Sequence, residues 1–164
     1  MKALFIGGIK SGKSINAEKY AVQNADSKPI YLATNEFFDD EMRERVQRHQ
    51  TQRSEKFETL EEPMELFKTI KQTKALVLVE CVSMWINNML YHKRSEESMI
   101  KEIESIVSLP NDVVFVINDV SCSVVSDNKL VRKFVDINGR ISQLLASKCE
   151  EVYQTTAGIS VKIK

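Results

Sequence analysis

Eight residues near the start of the chain, Gly7-Gly8-Ile9-Lys10-Ser11-Gly12-Lys13-Ser14, carry the spacing G-x-x-x-x-G-K-S. Phosphate recognition asks for these residue types in this order. Gly7 and Gly12 allow backbone angles that a side chain would forbid, so successive N–H groups can converge on phosphate oxygens. A helix opening behind them adds the positive end of its dipole. Lys13 then bridges the terminal phosphates as a point charge, and the Ser14 hydroxyl offers an oxygen ligand to a magnesium ion. The flanks suit this reading: Leu4, Phe5 and Ile6 form a buried-strand run, and Ala17, Tyr20 and Ala21 recur at helical spacing. A glycine-rich turn without a ligand is the competing interpretation, and both flanks disfavour it.

Two further positions could do chemistry. The apolar run Ala75-Leu76-Val77-Leu78-Val79 stops at the carboxylate of Glu80, as a central parallel strand stops at its ligand-facing end. Taken alone, Glu80 is as readily an acid leaving the core for water. Beside a Lys-Ser pair of this kind, a strand-end acid organises the magnesium shell. In the charged stretch 39–53, Met42, Val46 and His49 fall at i, i+4 and i+7 on one helical face, with Arg45 and Arg53 nearby. A lone histidine on such a face more often edges a packed surface than acts as a reactive group. His92, among Tyr91, Lys93 and Arg94, reads as a surface residue.

The elements that must position these groups alternate. Helix 13–24 is followed by strand 30–34, the charged helix 39–53, a short strand at 56–59, and a helix opening at Glu61-Glu62-Pro63 that buries Leu66, Phe67 and Ile70. After the strand ending at Glu80 come an apolar-faced segment with Trp85, Ile86, Met89 and Leu90, and a helix burying Met99, Ile103, Ile106 and Val107. A strand over 113–117 precedes a long helix, 126–148, expected to bury Leu130, Phe134, Ile141, Leu144 and Leu145. Strands 151–155 and 159–163 close the sequence as a hairpin across Ala157-Gly158. The alternation predicts one α/β domain over 1–164, a three-layer sandwich around a mainly parallel sheet.

Composition narrows the partners. The 23 basic and 23 acidic residues cancel, so the balance points to neither nucleic acid nor an anionic membrane. Cys81, Cys122 and Cys149 are widely spaced without a C-x-x-C pair, and read as reduced thiols. No apolar run reaches the roughly 18 residues of a membrane span, and no signal-peptide pattern precedes the first strand, so a cytoplasmic protein is expected.

The chain resembles the bifunctional adenosylcobinamide kinase / adenosylcobinamide-phosphate guanylyltransferase family over nearly its full length. Beyond the phosphate loop, the resemblance rests on Tyr31-Leu32-Ala33-Thr34, Asp40-Glu41-Met42 leading to Arg45-Val46-Gln47-Arg48-His49 and Arg53, and Thr59-Leu60-Glu61-Glu62-Pro63. It extends through Glu80-Cys81 with Trp85 and Asn88, Asn128 with Leu130, and Gly158-Ile159-Ser160-Val161-Lys162. The family has Asn-Glu-Val-Gly after the fifth strand where this chain has Asn118-Asp119-Val120-Ser121, and commonly Arg-Pro then Trp where it has Arg53-Ser54 and Phe57.

The resemblance implies a RecA-like fold, a homotrimer, and two reactions on adenosylcobinamide with ATP, GTP and Mg2+. His49 would become guanylylated. Ala33, Thr34, Asn35, Gln50, Thr51, Gln52, Arg53, Glu61 and Glu80 would line the nucleotide site beside residues 7–14. Two rival readings use the same loop: a GTP-dependent switch, which needs neither His49, Arg53 nor Glu61, and a simple kinase or NTPase lacking the transferase step.

Overall fold

The computed structural model describes residues 1–36, 55–121 and 124–164. The expected helix over 39–53, with His49 and Arg53, lies outside the described residues. In chain order the elements are β1 (Lys2–Gly7), α1 (Lys13–Asn24), β2 (Ile30–Ala33), β3 (Glu58–Glu61), α2 (Leu66–Lys71) and β4 (Val77–Glu80). They continue with α3 (Val82–Tyr91), α4 (Glu96–Val107), β5 (Val113–Asn118), α5 (Lys129–Lys148), β6 (Glu151–Thr156) and β7 (Ile159–Lys162).

Period-two alternation in the strands builds a sheet with two apolar faces. In β5, Val113, Phe115 and Ile117 point to one side and Val114 and Val116 to the other, all fully buried. The first side packs on Leu66, Ile70, Trp85, Ile86, Met99, Ile103, Ile106, Ile141 and Leu145, so α2 to α5 form one outer layer. The second side receives α1 through Ala17 and Ala21. Alanine at both contacts lets that helix approach the strands closely. The strand order is β3-β2-β4-β5-β1-β6-β7, parallel throughout except for the closing β6–β7 hairpin. This is the three-layer α/β sandwich that the alternation predicts. Among the described residues no helix is long and apolar enough to cross a membrane.

The hairpin is fastened to α1 and β1 by a small aromatic group. Tyr153 stacks on Phe5 with ring centroids 4.6 Å apart, and Tyr20 meets Phe5 edge-on at 5.4 Å. Tyr20 and Tyr153 both donate to the Glu151 carboxylate at 2.7 Å, and Lys162 pairs with its other oxygen at 2.6 Å. The Lys162 ammonium first, then the two phenols, hold the Glu151 carboxyl down at about 2.

Four expectations need correction. The helix expected at Glu61-Glu62-Pro63 begins later, at Leu66, because Glu61 ends β3 in register with Ala33 and the Glu62 carboxylate accepts the N–H groups of Met64 and Glu65 at 2.9 and 2.8 Å. The strand expected over 56–59 is displaced to Glu58–Glu61, with Phe57 buried edge-on against Tyr31. The long helix starts at Lys129, where the Asn128 side chain accepts the N–H groups of Leu130 and Val131. A cap of that kind contributes about 1 kcal/mol. Leu130, expected in the core, is 62% exposed; its turn of α5 projects past the packed layer.

Candidate active site

The loop between β1 and α1 has the geometry that its composition dictates. Gly12 adopts φ 93°, left-handed, and hands the chain to α1 with no side chain capping the helix. The first-turn N–H donors of α1 are thereby left to face outward, with the dipole's positive end behind them. Lys10 is also left-handed, at φ 59°, and the Ser11 N–H closes a turn on the Gly8 carbonyl at 3.2 Å. Ile9 projects into solvent, 78% exposed. Lys13 is buried, with its ammonium folded over the loop to donate to the Gly8 carbonyl at 3.3 Å. A lysine ammonium with three donors can exchange such a carbonyl for a phosphate oxygen.

Ser14 and Glu80 meet. The Ser14 hydroxyl donates to Glu80 Oε1 at 2.8 Å, joining the start of α1 to the end of β4 across the intervening strand β5. The neighbouring Cys81 thiol is pushed up to about 12 by burial and then by the Glu80 charge. It stays protonated at neutral pH and is no nucleophile.

Strand register brings together several of the other predicted residues that the structure describes. Glu61, Ala33 and Glu80 are direct neighbours in one row across β3, β2 and β4. Thr34 follows Ala33 and is completely buried; its hydroxyl donates to the Cys81 carbonyl at 2.8 Å and accepts the Cys81 N–H at 2.9 Å. Thr34 is thus a clasp between the ends of β2 and β4. Asn88, also buried, reinforces it by donating to the Thr34 and Pro63 carbonyls at 2.7 and 3.1 Å. Asn35 continues from this clasp, half-buried, and the next residue, Glu36, binds His92 Nε2 at 2.9 Å. His49, Gln50, Thr51, Gln52 and Arg53 lie outside the described residues.

Sequence reasoning missed the support behind the loop. The hairpin turn at Ala157-Gly158 presses against it: the Gly158 N–H donates to the Ser11 carbonyl at 2.7 Å. A Cβ on Gly12 would sit 2.9 Å from Gly158 Cα, and one on Gly7 would strike the Thr155 carbonyl oxygen. Asn16, one turn into α1, donates to the Gly158 carbonyl at 2.9 Å and to Ser160 Oγ at 2.8 Å. The glycines of the motif therefore serve close approach of the hairpin as well as of a phosphate. Gly158 alone carried a signal, and it spoke only for a turn.

The fold and loop together define a RecA-like phosphate-loop nucleotide-binding protein. The crystal structure of flagellar accessory protein FlaH from Methanocaldococcus jannaschii shares this fold, with a TM-score of 0.51 over 98% of this chain and 75% of that chain at 10% identity. Within that class the chain belongs to the cobinamide kinase / cobinamide phosphate guanyltransferase family, whose pattern matches residues 3–163. It is 34% identical to the bifunctional adenosylcobalamin biosynthesis protein CobU of Escherichia coli, with both chains covered in full. It is 32% identical to the bifunctional adenosylcobalamin biosynthesis protein CobP of Pseudomonas aeruginosa, over 100% of this chain and 98% of that one.

Proposed function

We propose that this chain phosphorylates the terminal hydroxyl of adenosylcobinamide with ATP or GTP, and then transfers GMP from GTP to adenosylcobinamide phosphate. The products of the second step are adenosylcobinamide-GDP and pyrophosphate. One observation carries the reading: buried Lys13 and the Ser14–Glu80 pair converge at the uncapped N-terminus of α1. Ser11 Oγ adds to it, being buried in the same loop without a hydrogen-bond partner among the described residues. A phosphate oxygen would satisfy it.

In the kinase step the substrate hydroxyl attacks the γ-phosphorus, the bond to the β-bridging oxygen breaks, the nucleoside diphosphate leaves, and the hydroxyl proton passes to water. Residues 7–14 hold the phosphates, and the Lys13 ammonium offsets charge on the transferring group. In the transferase step a neutral His49 nitrogen attacks the α-phosphorus of GTP, and pyrophosphate departs as the P–N bond forms. A phosphate oxygen of the corrinoid then attacks that phosphorus, and the imidazole leaves. Ala33, Asn35, Glu61 and residues 50–53 are assigned to the nucleotide surroundings, and Thr34 to clasping the ends of β2 and β4 beside them.

Mg2+ fits the residues present. Ser14 Oγ and the Glu80 carboxylate are hard oxygen donors already within 2.8 Å of each other, and no group of three His, Cys, Asp or Glu side chains gathers among the described residues. Mg2+ favours such a site, with one or two protein oxygens completed by phosphate and water. When bound, it supplies charge neutralisation to the β- and γ-oxygens. Glu80→Gln keeps the Ser14 hydrogen bond and removes the charge. It is expected to fold normally and to need several-fold more Mg2+ for half-maximal turnover. Unchanged Mg2+ dependence would return Glu80 to the role of a strand terminus.

The assembly is proposed to be a cytoplasmic homotrimer of a single 164-residue domain. The test of the activity is direct: incubation with α-labelled GTP and Mg2+ should leave an acid-labile, base-stable label on the protein, as a phosphoramidate requires. Absence of such a label, with adenosylcobinamide still phosphorylated, would reduce the assignment to a kinase.

A further inference from the structure

We propose that the cavity between α3 and the first turns of α5 receives the macrocycle edge and amide arms of the corrinoid, an inference that rests on the activity proposed above. The cavity measures about 540 Å³ and is lined by Met84, Asn87, Tyr91, Asn118, Leu130 and Phe134 among others. That is within the range of small-molecule sites. It opens at the carboxyl end of β5, where open α/β sheets bind their ligands. Asn118 is the register partner of Gly7, and the Asp119 N–H donates to the Gly7 carbonyl at 2.9 Å. The cavity wall is thus one strand spacing, about 4.8 Å, from the strand that feeds the phosphate loop. A ligand whose reacting hydroxyl stands at the end of a flexible arm can sit there and reach the γ-phosphate.

The lining selects the ligand's chemistry. Among the described residues no carboxylate, ammonium, guanidinium or imidazole contributes to it, which disfavours a second nucleotide or an inorganic anion. Apolar side chains dominate, and two primary amides, Asn87 from α3 and Asn118 from the end of β5, face the same space. Each amide can donate and accept, so the pair matches a neutral ligand that carries amides of its own. The Asn118 backbone is held from two sides: its N–H donates to Ser83 Oγ at 2.9 Å and its carbonyl accepts from Asn138 Nδ2 at 2.9 Å. Ser83 in turn donates to Asn138 Oδ1 at 2.8 Å.

The apolar stripe of α5 explains what the ligand would cover. Leu130, Phe134, Ile137, Ile141 and Leu145 recur at helical spacing, but only the last three are buried. Leu130 at 62% and Tyr91 at 65% exposure form opposite rims of the cavity. Leu130 continues the core's pattern into a space that no other described side chain fills.

Equilibrium dialysis with cobinamide, read by its visible absorbance, tests this without requiring turnover. Leu130→Asp places a charge at an exposed rim and should weaken cobinamide binding about tenfold or more, because the charge must be desolvated under the ligand. Asn87→Leu, also on the surface, should weaken it several-fold by removing one amide partner. Both variants should bind GTP as wild type does. Ile163→Asp, an equally exposed apolar site on the far edge of the sheet, should change neither affinity. A wild-type protein that binds GTP but no cobinamide would overturn the proposed activity along with the cavity. Wild-type cobinamide affinity in both Leu130→Asp and Asn87→Leu would overturn the cavity alone.

Discussion

Lys13→Ala is expected to yield a folded protein whose phosphoryl transfer falls by about 10²–10³-fold or more, the loss associated with removing one preorganised charge-stabilising group. The ammonium is the buried cation of the loop, held 3.3 Å from the Gly8 carbonyl and free to swing from it. The backbone N–H groups of the loop and of α1 survive the substitution, so nucleotide should still bind, more weakly. The fold should survive as well, since Lys13 makes its hydrogen bond within the loop and the packing of α1 rests on Ala17 and Ala21. Circular dichroism and a melting curve alongside single-turnover kinetics check both halves. Wild-type turnover by folded Lys13→Ala would sink the assignment of the loop.

His49→Ala should separate the two reactions. It deletes the nitrogen proposed to accept GMP, whereas the kinase step calls only on the loop and Mg2+. Protein-bound GMP and adenosylcobinamide-GDP should disappear, and phosphorylation of adenosylcobinamide should persist, lowered only by the nearness of Arg53. The chain contains one other histidine, His92. Its Nε2 is engaged by both Glu36 oxygens, at 2.9 and 3.0 Å, at the far end of α3. His92→Ala should therefore leave the label intact. A label that survives His49→Ala and vanishes in His92→Ala would show that the nucleophile has been assigned to the wrong imidazole.

Local signals were legible in the sequence and tertiary ones were not. The loop, the limits of α1 and the hairpin follow from glycine placement and hydrophobic period, and appear as expected. The carboxylate closing β4 was visible as the end of an apolar run, and the phosphate-loop pattern pointed to its partner Ser14, 66 positions away; the direct hydrogen bond between them was not visible. Helix starts were misjudged where a side chain chose the boundary. Acids and a proline at 61–63 suit a helix opening, yet pairing with β2 draws Glu61 into a strand, and the Glu62 carboxylate spends its oxygen on a turn. Leu130 shows the opposite failure, with periodicity read as burial where the stripe outruns its partners. The clasp of Thr34, Cys81 and Asn88 has no sequence signature, because each member is an ordinary residue until the fold brings it to the others.

The contact between Gly158 and Ser11 has a consequence for how the protein comes into being. Translation makes the phosphate loop almost first, but the turn that braces it 147 positions later, so the newborn loop has every motif residue and no backstop. Contacts of such separation form late, since chain entropy must be spent before they return anything. A ribosome stalled before the hairpin would release a chain that still matches the nucleotide motif by sequence but lacks its brace. Tight nucleotide binding would then be a property only of molecules whose closing strands have docked, and nucleotide itself would favour that docking, by mass action, over the open chain.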